Sequence, residues 1–268
     1  CTKSGSVTVE RSVCTPVEIT NSLAFAFPED CIGLFSVSAT KQVYFSNGNL
    51  QYVNGAWRFA EHQYDCLGTY NEDAWDLFGW STAATTYGMS TSKNNSVYSG
   101  DFVDWGTAIN PNGGDTPWRT LTAAEWTYLF GTDGGRNEKY GLATITGVTL
   151  PGASAPSSVT GLVLLPDSWA SCPDGCSFTA GKSSGFTTNQ YNADQWAQME
   201  AAGAVFLPAA GYRYGTEMGN IGEIGYYWSS TPFIEYDAFN MSSDDYYVYD
   251  GDYDARYLGH SVRLVQDY

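Results

Sequence analysis

Positive charge is scarce in this chain of 268 residues: 12 Lys plus Arg stand against 29 Asp plus Glu, a formal net charge of −17. Nucleic acid is repelled by such a composition, and no basic stripe offers the counterion release on which that binding runs. Anionic membrane surfaces are excluded as partners on the same ground. Long apolar runs are also missing, and no stretch approaches the roughly 20 residues needed to span a bilayer. Histidine is limited to His62 and His260. With no G-x-S-x-G elbow either, nucleophilic catalysis of the Ser-His type has no candidate. No cysteine follows Cys176, and no pattern in the sequence implies a cofactor.

What is present is aromatic and turn-rich. Hydrophobic residues make up 43% and aromatics 16%, with nine Trp, 20 Tyr and 29 Gly. That suffices for one large core, and the Gly, Ser and Thr content suits an extracellular protein with many turns. The cysteines are Cys1, Cys14, Cys31, Cys66, Cys172 and Cys176. Their even number fits an oxidising compartment and leaves the pairing open. Cys172-Pro-Asp-Gly-Cys176 spans a tight turn and invites a local disulfide; zinc would need further Cys or His nearby. Cys1 fits the lipid anchor of a processed lipoprotein, or else marks an arbitrary boundary.

Residues 1–31 read as an extended lead-in, and 32–268 as one domain. Strand signals follow at Leu34–Val37, Val43–Phe45, Leu50–Val53 and Trp57–Phe59. Asn47-Gly48 and Asn54-Gly55 punctuate them, so the spacing predicts a meander with tight turns. Residues 79–117 keep no period and read as a long loop insertion. Thr122-Ala-Ala-Glu125 is a capping box that opens a helix through Phe130, and Asn192 caps a second over 193–202. Gly161–Leu165 reads as a buried strand between them. After Val205 every signal is strand, at Val205–Leu207, Gly225–Ser230, Ala238–Tyr249 and Ser261–Val265. The predicted class is α+β, two helices packed on twisted antiparallel sheet, with Trp126 and Trp228 buried. Arg263, in an apolar strand, is expected to snorkel or to pair with a carboxylate.

Four segments in this order carry a resemblance: Trp118-Arg-Thr-Leu-Thr-Ala-Ala-Glu-Trp126, Leu207-Pro-Ala-Ala-Gly-Tyr-Arg213, Gly225-Tyr-Tyr-Trp-Ser-Ser-Thr-Pro232 and Gly259-His-Ser-Val-Arg-Leu-Val265. Together they resemble the C-type-lectin fold of the formylglycine-generating-enzyme (sulfatase-modifying-factor) superfamily, and more closely its Bacteroidales surface proteins, over residues 33–265. Enzymatic members use a cysteine pair in the C-terminal half for copper-dependent oxidation. Nothing follows Cys176 here, so the resemblance implies a non-catalytic relative. Some proteins of this fold are diversified by retroelements that mutate adenines in a C-terminal variable region, whose codons cannot yield Trp, Met, Lys, Gln or Glu. None of those five occurs between Ser242 and His260. Trp228, Ser229, Ser230, Arg256, Gly259, Ser261, Val262 and Arg263 would be the constant frame.

Residues 233–268 hold eight acids, two arginines and seven tyrosines. Tyr, Asp, Ser and Gly interleave there with no evident strand alternation. Exposed Tyr among small polar residues is the composition of antibody loops, where the ring supplies contact area at little entropic cost. The expected ligand contacts, in a variable region over about 233–260, are Tyr236, Asp237, Phe239, Asp244, Asp245, Tyr246, Tyr247, Tyr249, Asp252, Tyr253, Asp254, Tyr257, Leu258 and His260, forming one solvent-facing patch. Asp250-Gly-Asp252-Tyr-Asp254 copies the start of an EF-hand loop, but Ala255 and Ser261 stand where Gly and Glu are required. The Glu-Pro-Asn or Gln-Pro-Asp and Trp-Asn-Asp signatures of calcium-dependent lectins are absent, leaving at most an adventitious cation. The expectation is a protein or glycan ligand on another cell or a host surface. It would be bound by an extracellular or surface protein: an outer-membrane lipoprotein, a pilus-tip adhesin or a phage tail protein.

Overall fold

The computed structural model describes residues 31–109, 111, 117–181 and 185–268. The lead-in, with Cys1 and Cys14, lies outside them; Cys31 opens the first strand.

In chain order, β1 (Cys31–Ser36) pairs antiparallel with β2 (Gln42–Ser46). β3 (Leu50–Val53) pairs with β4 (Ala56–Phe59) and with β5 (Ala74–Trp75). Asn54-Gly55 closes the β3–β4 hairpin with φ of 52° and 85°. A two-residue turn needs two positive φ angles, which Asn and Gly supply at least cost. Asn47-Gly48 does not close a hairpin. The chain crosses there into a different sheet, so the expected meander is two separate hairpins.

The described residues of 79–117 have little regular structure: one 3₁₀ turn, Asn95–Tyr98, and a short helix α1 (Trp105–Ile109). Their large aromatics are nevertheless interior. Trp80, Tyr98 and Trp105 are fully buried, and Trp80 and Trp105 join the cluster around Phe78, Trp118 and Trp228. Tertiary burial orders this segment, which is why no local period announces it.

β6 (Arg119–Thr120) leads into α2 (Ala123–Leu129). The capping box is present: the Thr122 hydroxyl accepts from Glu125 N, and Glu125 accepts from Thr122 N. β7 (Tyr140–Val148) and β8 (Ser157–Leu164) follow as a long antiparallel pair. β7 gives no sequence signal because two glycines interrupt it. At Gly141 a Cβ would stand 2.6 Å from the Thr179 carbonyl, so the neighbouring chain requires glycine there. β9 (Asn189–Asn192) runs parallel to β7 and leads into α3 (Ala193–Ala201), capped by Asn192. That makes this sheet mixed, against the wholly antiparallel expectation. Trp196 and Met199 of α3 bury onto Ile145, Val163 and Phe206. Cys172 and Cys176 are both unlinked thiols, so the local disulfide is not formed.

The C-terminal part is strand throughout: β10 (Val205–Pro208), β11 (Tyr212–Tyr214), β12 (Glu217–Gly219), β13 (Ile224–Pro232), β14 (Asp237–Asp244), β15 (Val248–Ala255) and β16 (Leu264–Asp267). The sheets are ordered β1-β2-β16-β6, β10-β8-β7-β9, β13-β14-β15, β4-β3-β5 and β11-β12. Three helices on mostly antiparallel sheet make an α+β fold. None of the helices among the described residues is long and apolar enough to cross a membrane.

β13 divides the interior. Tyr227 faces the cluster of Trp126, Phe45 and Met241, while Trp228 faces that of Trp80, Phe78 and Val262. Both faces of the strand are therefore dry, and the indole N–H of Trp228 donates to the Phe78 carbonyl at 2.7 Å. Truncating such a residue loses its packing and leaves a cavity, costing about 3–5 kcal/mol. Trp228→Ala should therefore lower the thermal midpoint by about 10 °C or more. A melt within about 3 °C of the parent would show that the two cores do not depend on this wall.

Candidate functional site

The outer hairpin, β14–β15, has an ordinary strand alternation masked by a bulge. Asn240 pairs with Asp252, but Ser242 pairs with Tyr249, so two steps along β14 match three along β15. The extra residue flips the phase. Tyr249 and Tyr253, four positions apart, consequently lie on opposite faces. Tyr253 shares its face with Phe239, where Phe233 stacks on Tyr253 at 4.1 Å and meets Phe239 edge-on at 4.9 Å. Asp252 and Asp254 share the other face with Tyr249. There Ser242 donates to Asp252 at 2.9 Å and Asn240 to Asp254 at 3.1 Å. The EF-hand-like run Asp250–Asp254 is thus an extended edge strand, not a loop.

The fourteen expected contacts consequently divide. Tyr236, Asp245, Tyr246, Tyr247, Tyr249 and Tyr253 are exposed, Tyr246 most of all at 77%. Asp237, Phe239, Asp244, Asp252, Asp254, Tyr257 and Leu258 are half-buried. His260 is fully buried and cannot be a solvent-facing contact. It sits in a stack, 4.8 Å from the ring of Tyr226 and 4.2 Å from that of Trp228. Asp244 and Asp245 shape the turn: Asp244 accepts from the amides of Tyr246 and Tyr247 at 2.8 Å, and Asp245 from Phe186 N at 2.6 Å. The result is an aromatic face, a tyrosine-tipped turn and an acidic face.

The base of the hairpin is held by Arg256. Its guanidinium donates to the carbonyls of Asp237, Tyr98, Gly100 and Ile234, and stacks 4.2 Å over Trp80. The Trp80 N–H in turn donates to Ser229 O at 2.9 Å. One cation thus ties β13, β14, β15 and the 79–117 segment together. Arg263 plays a similar part below. It does not snorkel or pair with a carboxylate: it is buried and donates to Ser46 O, Phe206 O and Gln63.

Beside the acidic face lies a cleft of about 310 Å³. Tyr212, Tyr214, Tyr226 and Tyr257 wall it, with Asp254 and His260 inside and Leu258 at its edge. Only Asp254, Tyr257, Leu258 and His260 were expected at the site. Tyr212 and Tyr214 come from β11, and their i, i+2 spacing around buried Arg213 is the one sequence signal that marks them as neighbours on a single face. Burial, with repulsion from Asp252, pushes the Asp254 carboxyl up to about 7. Burial and the Arg213 charge drive His260 down to about 3, so the imidazole is neutral. Among the described residues no group of three His, Cys, Asp or Glu is placed to hold a metal ion.

Asp254 makes folding weaker as pH rises. Its carboxyl binds its proton in the folded state up to about pH 7 but ionises near 3.8 when unfolded. The native state therefore holds more protons between those values, and stability falls across that window. Asp254→Asn removes this dependence. The variant should match the parent near pH 4 and melt higher than it at pH 8, measured by thermal midpoints in the same buffers. Equal midpoints at pH 8 would mean that the carboxylate is solvated there.

The chain matches no family model, no curated protein and no solved structure.

Proposed function

We propose that this chain is a non-catalytic ligand-binding protein of a cell surface, with a C-type-lectin fold like that of the formylglycine-generating-enzyme superfamily. Its β14–β15 hairpin, diversified by a retroelement, would be the binding surface. The observation that carries the reading is the contrast between that hairpin and its support. Phe233, Ile234, Tyr236, Tyr246, Tyr247, Tyr249 and Tyr253 are the bulk of the large apolar side chains left in water. The residues expected to form the constant frame, Trp228, Ser229, Arg256, Ser261, Val262 and Arg263, are buried. Clustered exposed aromatics mark interaction sites, and a rigid base lets them vary without loss of the fold.

A catalytic role is disfavoured by the thiols. Burial raises the Cys66 thiol to about 12, and Cys172 and Cys176 are raised as well. The thiolate is the reactive form, so these cysteines are poor nucleophiles and poor metal ligands. The ligand would be a protein or glycan on another cell or a host surface. The carrier would be an outer-membrane lipoprotein, a pilus tip or a phage tail.

A triple variant, Tyr249→Ala, Asp252→Ala and Tyr253→Ala, separates surface from scaffold. Its thermal midpoint should stay within a few degrees of the parent, since substitutions at exposed Tyr249 and Tyr253 change stability by about 0.5 kcal/mol each and half-buried Asp252 gives up one hydrogen bond from Ser242, worth about 1 kcal/mol. On a glycan array and a panel of purified cell-surface ectodomains, every partner bound by the parent should bind the variant at least ~10-fold more weakly, as expected when aromatic anchors are lost. Unchanged binding, or an unfolded variant, would place the hairpin with the scaffold.

A further inference from the structure

The cleft beside the acidic face has an unfilled hydrogen-bonding demand. His260 is fully buried, yet neither of its ring nitrogens has a hydrogen-bond partner. Asp254 Oδ2 stands 3.6 Å from Nε2, beyond hydrogen-bond length. Buried polar groups in folded proteins are nearly always paired, so an imidazole left like this at a cleft calls for a group from outside.

The surroundings fix the charge of that group. Asp252 and Asp254 lie on the same face, and their mutual repulsion adds to the cost of ionising Asp254. A ligand cation relieves that repulsion, whereas an anion would add to it. The positive charge beneath, Arg213, is held by the chain itself: it donates to the Leu77 and Gly215 carbonyls through Nε and Nη1 and stacks 4.8 Å over Trp75, with its buried Nη2 left unpartnered. Burial, and after it the Arg213 charge, holds His260 neutral, which preserves one ring nitrogen as an acceptor for an incoming N–H. The walls suit a cation too, because tyrosine faces attract positive charge. The chain supplies its own example: the Lys93 ammonium lies 3.8 Å from the ring centroid of Tyr214, on the rim of this cleft.

We propose that the cleft is a subsite for a cationic side chain of a protein partner, a lysine ammonium or arginine guanidinium, held by Asp254 and the neutral His260 between tyrosine rings. This deepens the reading of the hairpin as a binding surface and rests on it; of the protein and the glycan left open there, a cationic side chain commits the partner to a protein. The hairpin tyrosines would supply the broad contact and the cleft would select a charged residue at its margin.

The test uses the full chain and small probes. Nα-acetyl-lysine amide and Nα-acetyl-arginine amide are titrated while the His260 ring signals are followed by NMR. The Nε-acetylated lysine analogue and a methyl glycoside serve as neutral comparisons. A saturable shift with a Kd of roughly 1–10 mM is expected for the cations, the scale of one ion pair with cation–π contacts. The neutral lysine analogue should bind at least ~10-fold more weakly, and Asp254→Asn and Tyr257→Ala should each weaken the cation by a similar factor. No shift with the cations, equal shifts with the neutral analogue, or a shift with the glycoside alone would overturn the proposal; the last would point to a sugar subsite. The Tyr249→Ala/Tyr253→Ala double variant, altered outside the cleft, should bind the lysine probe as the parent does. Loss of large partners with retained probe binding in that variant, or the reverse outcome, tells the failure of one reading from the failure of the other.

Discussion

The molecule depends on β13 being dry on both sides. Adjacent residues of a strand point to opposite faces, so Tyr227 and Trp228 can seal two different cores only if something covers each. Helix α2 supplies Trp126 on one side, and the irregular 79–117 segment supplies Trp80 on the other. The segment without regular structure is thus as much a part of the interior as the helix. Its backbone polar groups are met in part by Arg256, which takes carbonyls from Tyr98 and Gly100 along with those of the hairpin base. A lysine could not replace it, because the planar fork is what reaches several carbonyls while stacking on Trp80.

That arrangement has a consequence for the outer strand. With β13 locked, β14 is paired on both edges, and β15 lies at the outer edge of its sheet. An exposed edge invites pairing with other chains, and acids at Asp250, Asp252 and Asp254 oppose it by charge. The same acids create the repulsion at the cleft. Tyrosines fill the remaining outward positions, where they add contact area without weakening the frame. Stability therefore resides in buried arginines and tryptophans, and under the proposed function recognition would fall to the exposed tyrosines.

The helices and their caps were legible in the sequence because cap chemistry is local: Thr122 with Glu125, and Asn192 at the start of α3, act within four residues. The Asn54-Gly55 turn was legible for the same reason. β7 was not, since Gly141 answers the close approach of the Thr179 carbonyl and Gly147 the positive φ at a register shift, and together they break its apolar pattern. The 79–117 segment concealed its burial because nothing periodic orders it. Arg263 departs from expectation because an arginine held by buried carbonyls rather than by a carboxylate has no sequence signature. Composition singled out the C-terminal segment as aromatic and acidic, but the bulge between Asn240 and Ser242 hid its strand alternation. The cleft was half visible: Asp254, Tyr257, Leu258 and His260 lie in the C-terminal run, while Tyr212, Tyr214 and Tyr226 arrive from other strands. His260, the most informative of these, is buried at the cleft between the rings of Tyr226 and Trp228 rather than on the surface.

The central claim is that exposure on the hairpin and variability coincide, on a frame that does not vary. Sequencing this locus across a population of the source organism tests it directly. Amino-acid differences should concentrate at adenine-containing codons of exposed hairpin positions such as Tyr236, Tyr246, Tyr247, Tyr249 and Tyr253, and spare Trp228, Arg256, Ser261 and Arg263. Differences spread evenly along the chain, or a hairpin as constant as its frame, would contradict it.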